Sequence, residues 1–185
     1  MELVRTDVSV FELYSNFGCW FWHIMVQLQI NRGCRVVQAS GRTDRGVHAA
    51  RQYVQFFVNR QLERVDKLHL RMNSLLPNDL RVVCVRQVPS TFSVRYHALA
   101  REYHYRLQYG GVLDPLQRRF VAFVPGELDV PAMEEVAACM EGTHDFEAFS
   151  NLRPDYSDFK RTLYSVRLVQ LGDGHIRFEV CTALR

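Results

Sequence analysis

Thr162–Leu171 (TLYSVRLVQL), Gly172-Asp173-Gly174 and His175–Cys181 (HIRFEVC) form the stretch from which the fold is read. β-Branched and aromatic residues recur in both runs and a glycine-flanked aspartate separates them, the composition of two antiparallel strands joined by a tight turn. Upstream, Arg101–Gln108 reads as another strand, closed by Gly110-Gly111. Its alternation sends Tyr103, Tyr105 and Leu107 to one face and Glu102, His104 and Arg106 to the other. Arg81–Val88, Gln52–Val58 and the short Val36–Ala39 add three more strands. Val65, Leu68, Met72, Leu75 and Leu76 recur at helical spacing ahead of Pro77. Asp129 can cap a second helix with Met133, Val136, Ala137 and Met140 on its buried face and Gly142 just past its end. Phe17, Trp20, Phe21, Ile24 and Leu28 share one face of a third, buried helix. Strands joined by hairpin-type turns and mixed with two or three helices make the fold class α+β.

The 185 residues suffice for one large domain or two small halves sharing a core. With 48% hydrophobic and 23% charged residues, disordered and fibrous chains are excluded. Lysine and arginine outnumber acidic residues by 23 to 20, a net charge of +3 that permits a nucleic-acid partner, so any basic surface must be local. Five scattered cysteines, without a CxxC pair, read as buried free thiols in a reducing compartment. Leu13–Asn31 has no charged residue, but Ser15, Asn16, His23, Gln27 and Gln29 make it a poor membrane span. Asp7 and Glu12 argue against a targeting signal, leaving cytosol and organelle, mitochondrion or plastid, both open.

The chemistry gathers in the polar loop after the first of these short strands, Ser40-Gly41-Arg42-Thr43-Asp44-Arg45-Gly46. Here an aspartate sits between two arginines on a glycine-bounded turn. Neighbouring guanidinium groups favour the ionised carboxylate, which when desolvated can act as nucleophile or base. Composition alone favours a plainer alternative, a salt-bridged surface turn. No Gly-Lys-Ser/Thr follows, so the loop is not a P-loop. His48, His144 and Asp145 lack the spacing of a metal site, and no metal is expected; Asp145 reads instead as a brace for the turn before Phe146 and Phe149.

Ser40–Ala49 (SGRTDRGVHA) resembles the active-site signature of the TruA-type tRNA pseudouridine synthases, which usually have alanine where Arg45 stands. Four more blocks follow in the family's order: Met72–Pro77 (MNSLLP), Phe92–Arg95 (FSVR), Arg101–Tyr105 (REYHY) and Gly142–Phe146 (GTHDF) with Phe149. The resemblance implies a pseudouridine-synthase fold: two ferredoxin-like halves with mixed, largely antiparallel sheet and helices around a central cleft, often in a homodimer. It implies isomerisation of uridine in tRNA, typically in the anticodon stem-loop, without a cofactor. Asp44 is then the nucleophile, attacking ribose C1′ or base C6, and Arg42 keeps it charged. Tyr103 is the active-site tyrosine, stacking on a flipped base, with proton abstraction as a second role; Tyr105 is by default a core residue. Arg45, His48, Arg95 and Arg101 are candidates for RNA contact, with Arg118, Arg119, Lys160 and Arg161 as weaker phosphate contacts.

Residues 1–32 resemble nothing in the family, whose first strand is expected to be missing here, and 33–185 is expected to be a C-terminally truncated catalytic region. The family's later helix, whose arginine pairs with the catalytic aspartate, is expected to be missing, unless Arg185 or another chain substitutes for that arginine. Two hypotheses follow: a tRNA-uridine isomerase, or a catalytically inactive RNA-binding fragment or relative.

Overall fold

The computed structural model describes residues 2–10, 37–41, 43–44, 46–58, 64–89, 91–150 and 158–184, of which 2–10, 37, 57 and 58 are described through their backbone alone. The chain divides into two compact units, Met1–Ala98 and Leu99–Arg185. Both are α+β, as expected.

The first unit contains β1 (Glu2–Val10), β2 (Val37–Ala39), β3 (Gln52–Val58), α1 (Val65–Asn73) and β4 (Leu80–Val88). The sheet order is β2-β3-β1-β4 and every pair is antiparallel. The strand expected to be missing from the N-terminus is therefore present. β1 pairs with β3 on one side and β4 on the other; Val4, Thr6, Val8 and Val10 alternate with Arg5, Asp7 and Ser9, a strand period that the expectation of a missing strand overlooks. First strand central, third beside it and fourth on its other flank is the ferredoxin-like order. The helix expected around Phe17–Leu28, with Cys19 and Cys34, lies outside the described residues, as does Val36.

Along β4, Leu80, Val82 and Val85 are all buried although strict alternation would expose the last. The register explains it: Asp7 faces Cys84 and Val8 faces Val82, so Val83 bulges out and the residues beyond it change face. Both peptide groups of Val82 are engaged by one side chain. Asn73 Nδ2 donates to the Val82 carbonyl at 2.8 Å, and Val82 N donates to Asn73 Oδ1 at 2.8 Å. That carboxamide ties the end of α1 to β4. Leu68, Met72 and Leu76 of the predicted helical stripe are buried, together with Val54 and Phe56 of β3; Leu75 is exposed. Each large side chain withdrawn in this way contributes roughly 2–3 kcal/mol.

The second unit contains β5 (Ala100–Tyr109), β6 (Ala122–Val124), α2 (Val130–Cys139), β7 (Gly142–Asp145), β8 (Lys160–Gly172) and β9 (His175–Ala183). Its sheet runs β6-β5-β9-β8-β7, with β5 and β6 parallel and the other pairs antiparallel. Here β5, β8 and β9 repeat the order of β1, β2 and β3, a first strand lying beside the third and joined through it to the second. This repetition is invisible in the sequence, which has no internal similarity to signal it.

The predicted hairpin is present, and its turn is tight. Gly172 pairs with His175, while Asp173 (φ 50°) and Gly174 (φ 72°) have the two positive φ values that a type I′ turn requires. Gly174 has a second reason to lack a side chain: a Cβ there would meet the Tyr109 carbonyl oxygen at 2.4 Å. Its own carbonyl accepts from Tyr109 N at 2.8 Å, which locks the turn to the end of β5.

Asp129 caps α2 as expected, accepting from Ala132 N at 3.0 Å, with Pro131 in the first turn. Ala137 is buried, but Val136 is exposed and Val130 takes the inward place. Cys84 and Cys181 are partly buried and not in disulfides, whereas Cys139, on the outer side of α2, is exposed, contrary to the expectation of buried thiols. The short strands β6 and β7 escaped the sequence reading because Ala122–Val124 is too brief to show alternation and Gly-Thr-His-Asp lacks strong β-formers. Among the described residues, no helix is long and apolar enough to cross a membrane.

Candidate active site

β2 and β3 form a hairpin whose ladder ends at Ala39 and Val54, extended by Ser40 N donating to the Tyr53 carbonyl at 2.9 Å. Between Ala39 and Gln52 lie twelve residues, the loop that carries the Arg-Thr-Asp block. Asp44 is exposed on it, and its carbonyl accepts from Val47 N at 3.1 Å in a turn whose third residue, Gly46, has φ 82°. A positive φ there favours glycine. His48, further along the same loop, is half-buried and engaged in interactions. Arg42 and Arg45 lie outside the described residues.

Two buried glutamines on β3 hold two of the motif blocks. At the base of the Asp44 loop, Gln52 Oε1 accepts from Ser40 Oγ at 2.9 Å and its Nε2 donates to the Gly41 carbonyl. Three residues on, and by alternation on the opposite face, Gln55 is only 1% exposed. Its Nε2 donates to the Phe92 carbonyl at 3.1 Å and its Oε1 accepts from Val94 N at 2.7 Å. The Phe92–Arg95 block is thereby fastened to the sheet by one carboxamide. Val94 is buried, while Arg95 points out with its guanidinium carbon 5.7 Å from the centre of the Tyr96 ring. The turn is also braced internally, since His97 N donates to the Ser93 carbonyl and Phe92 and His97 meet edge to face.

The sequence reading missed both glutamines. A signal was available: a polar carboxamide standing between Val54 and Phe56, in a strand where both neighbours are core formers, is placed where only a buried partner can satisfy it. With Asn73, they make three carboxamides that substitute for a peptide group, each donating once and accepting once.

In the second unit, Arg101 and Tyr103 are neighbours on one face of β5. The register aligns Tyr103 with Val180 and Tyr105 with Phe178, so the predicted aromatic face is confirmed, and on the reverse Glu102, His104 and Arg106 align with Cys181, Glu179 and Arg177. The charged face is internally paired: His104 Nε2 lies 2.6 Å from Glu102 Oε1, and Arg177 pairs with Glu179. Tyr103 and Tyr105 are 52% and 59% exposed, so the reading of Tyr105 as a core residue is wrong. α2 packs over β8, which leaves the β5 side of this face uncovered within the unit. Arg101 is half-buried and engaged.

Asp145 braces the turn before Phe146, as expected: its Oδ1 accepts from Glu147 N at 2.9 Å and begins the short 3-10 helix Glu147–Phe149. Phe146 contacts both His144 and Phe149. Lys160 and Arg161 open β8, where Arg161 caps the carbonyls of Asp158 and Lys160.

Asp44 and His48 are thus brought together on one loop, and Arg101 and Tyr103 on one strand face. Arg95 belongs to the first unit but to a separate loop.

No protein-family model matches the chain. Curated proteins do resemble it. A protein of Protochlamydia amoebophila called tRNA pseudouridine synthase A 1 is 36% identical over 147 residues, 78% of this chain and 57% of that one. tRNA pseudouridine synthase A of Halalkalibacterium halodurans is 39% identical over 145 residues, 78% of this chain and 55% of its own length. The protein of the same name from Thermotoga neapolitana is 36% identical over 143 residues, 77% of this chain and 58% of its own. The chain therefore spans little more than half the length of the relatives it matches.

Proposed function

The chain belongs to the tRNA pseudouridine synthase A family, and on that premise we propose that it isomerises uridine to pseudouridine in tRNA, with Asp44 as the nucleophile. The observation that carries this reading is the exposed Asp44 carboxylate on a loop far longer than its hairpin needs, fastened at its base by Gln52.

The reaction breaks the N1–C1′ bond and joins the same ribose carbon to C5. C5 loses a proton and N1 gains one, so atoms and electrons balance without cofactor or phosphate donor. Asp44 attacks ribose C1′ or base C6, and Arg42, two residues earlier, orients the carboxylate. The target nucleoside leaves the base stack, at a cost of a few kcal/mol. Tyr103 offers a half-exposed ring on which the extruded base stacks, a contribution of about 1–3 kcal/mol. Arg45, His48, Arg95 and Arg101 contact the RNA backbone, which fixes its register without reading its sequence. The substrate region is the anticodon stem-loop, and the working form is a homodimer.

tRNA labelled with tritium at uridine C5 tests the proposal, because each isomerisation releases that tritium to water. The expected result is release that accompanies formation of pseudouridine. Salt-sensitive tRNA binding without release would instead establish an RNA-binding relative that lacks turnover.

A further inference from the structure

We propose that Gln52 is a positioning residue for Asp44, acting through the backbone at the start of the loop. The inference rests on the isomerase reading for its kinetic consequence, but its structural content stands apart from it. β2 and β3 stop pairing through their backbones at Ser40, four residues before Asp44. From there the carboxamide of Gln52 continues the ladder: its Oε1 accepts from the Ser40 hydroxyl at 2.9 Å and its Nε2 donates to the Gly41 carbonyl. The direction in which the chain leaves the sheet toward Thr43 and Asp44 is therefore set by a side chain.

The chemistry of this bridge is specific to an amide. Gln52 is buried, so neither of its two polar atoms has water as a ready substitute. A carboxylate at this position accepts from Ser40 but faces the Gly41 carbonyl with a second acceptor. A thioether of similar length does neither job and leaves the Gly41 carbonyl without its donor. Gln55 provides the internal comparison, a still more deeply buried amide on the same strand that serves a different loop.

A nucleophile displaced by about 1 Å loses on the order of a hundredfold in rate. Gln52→Met is expected to lower the single-turnover rate at saturating tRNA by roughly ten- to a hundredfold, with tRNA affinity changed less than about threefold, because the residue does not touch RNA. Gln52→Glu is expected not to rescue that rate. Ser40→Ala, which removes one arm of the bridge, gives a smaller loss, and combining it with Gln52→Met adds little, as expected for groups acting as a unit. Thermal unfolding establishes that each variant is folded, and Ser40→Ala keeps the test open if Gln52→Met does not fold. Hydrogen exchange provides the arm independent of activity: Gln52→Met, or Ser40→Ala in its place, should speed exchange at the amides of residues 43–47 and leave those of β5, β8 and β9 unchanged.

If the parent chain makes no pseudouridine, the isomerase reading fails and the exchange measurement alone decides the positioning role. If a folded Gln52→Met or Ser40→Ala variant leaves loop exchange as in the parent, or keeps its saturating rate within twofold while weakening tRNA binding, the positioning role is overturned.

Discussion

The two hairpins that the units share by topology, β2–β3 and β8–β9, are joined very differently. In the second unit Asp173-Gly174 suffices, two residues with positive φ between paired strands. In the first, twelve residues separate Ala39 from Gln52, and the ladder is continued by a buried side chain. The short turn is what strand geometry asks of any hairpin. Closing a longer loop adds only modest entropy, so ten further residues are tolerated without being required by the fold. They hold Asp44. The difference separates chain that builds a sheet from chain that the sheet displays.

The comparison breaks most severely if the long loop is removed. Replacing residues 41–52 by Asp-Gly leaves Ser40 and Tyr53 as the closing pair; the protein should still fold, with a thermal midpoint close to the parent's, and form no detectable pseudouridine. Unfolding on excision would mean that the loop supports the sheet. Next comes the short turn. Gly174→Ala places a Cβ 2.4 Å from the Tyr109 carbonyl at a φ of 72°, and chemical denaturation should register a loss of about 2–4 kcal/mol, the left-handed penalty together with overpacking. Asn73→Ala removes both bonds to Val82 at the bulge of β4 and should cost about 2 kcal/mol by the same measurement. The smallest effect sharpens the contrast between the turns. Gly46 also has positive φ, at 82°, but nothing lies within 4 Å of its would-be Cβ, so Gly46→Ala should cost about 1–2 kcal/mol. Equal losses at Gly46 and Gly174 would show that the contact with Tyr109 is of no consequence.

How much of this was legible in the sequence follows from the physical range of each signal. β3, β4, β5, β8 and β9 were readable because alternation and turn residues are local. β1 carries the same local signal, Val4, Thr6, Val8 and Val10 alternating with polar residues, and was overlooked; only its place between β3 and β4 is a long-range pairing that no local pattern shows. Val85 escaped because a bulge changes the face of a strand without changing its composition. Asp44 was found through its motif, and its exposure agrees with an accessible carboxylate. Tyr103 and Tyr105 were correctly paired on one face, but whether a face is covered depends on which elements pack over it, and α2 lies over β8 rather than β5. Gln52 and Gln55 were overlooked because a strand reading counts side chains as apolar or polar, whereas these polar atoms satisfy a hydroxyl and three peptide groups of segments 11 to 39 residues away.

On the proposed reading, the long hairpin presents one carboxylate as a nucleophile. Single-turnover tritium release from C5-labelled tRNA by the protein and by Asp44→Asn, which keeps shape and removes charge, tests it most directly. The parent should release tritium and the variant should lose at least about a thousandfold in rate, consistent with removal of a covalent nucleophile, while tRNA affinity is retained. An Asp44→Asn protein that binds tRNA and releases tritium at the parental rate would contradict it.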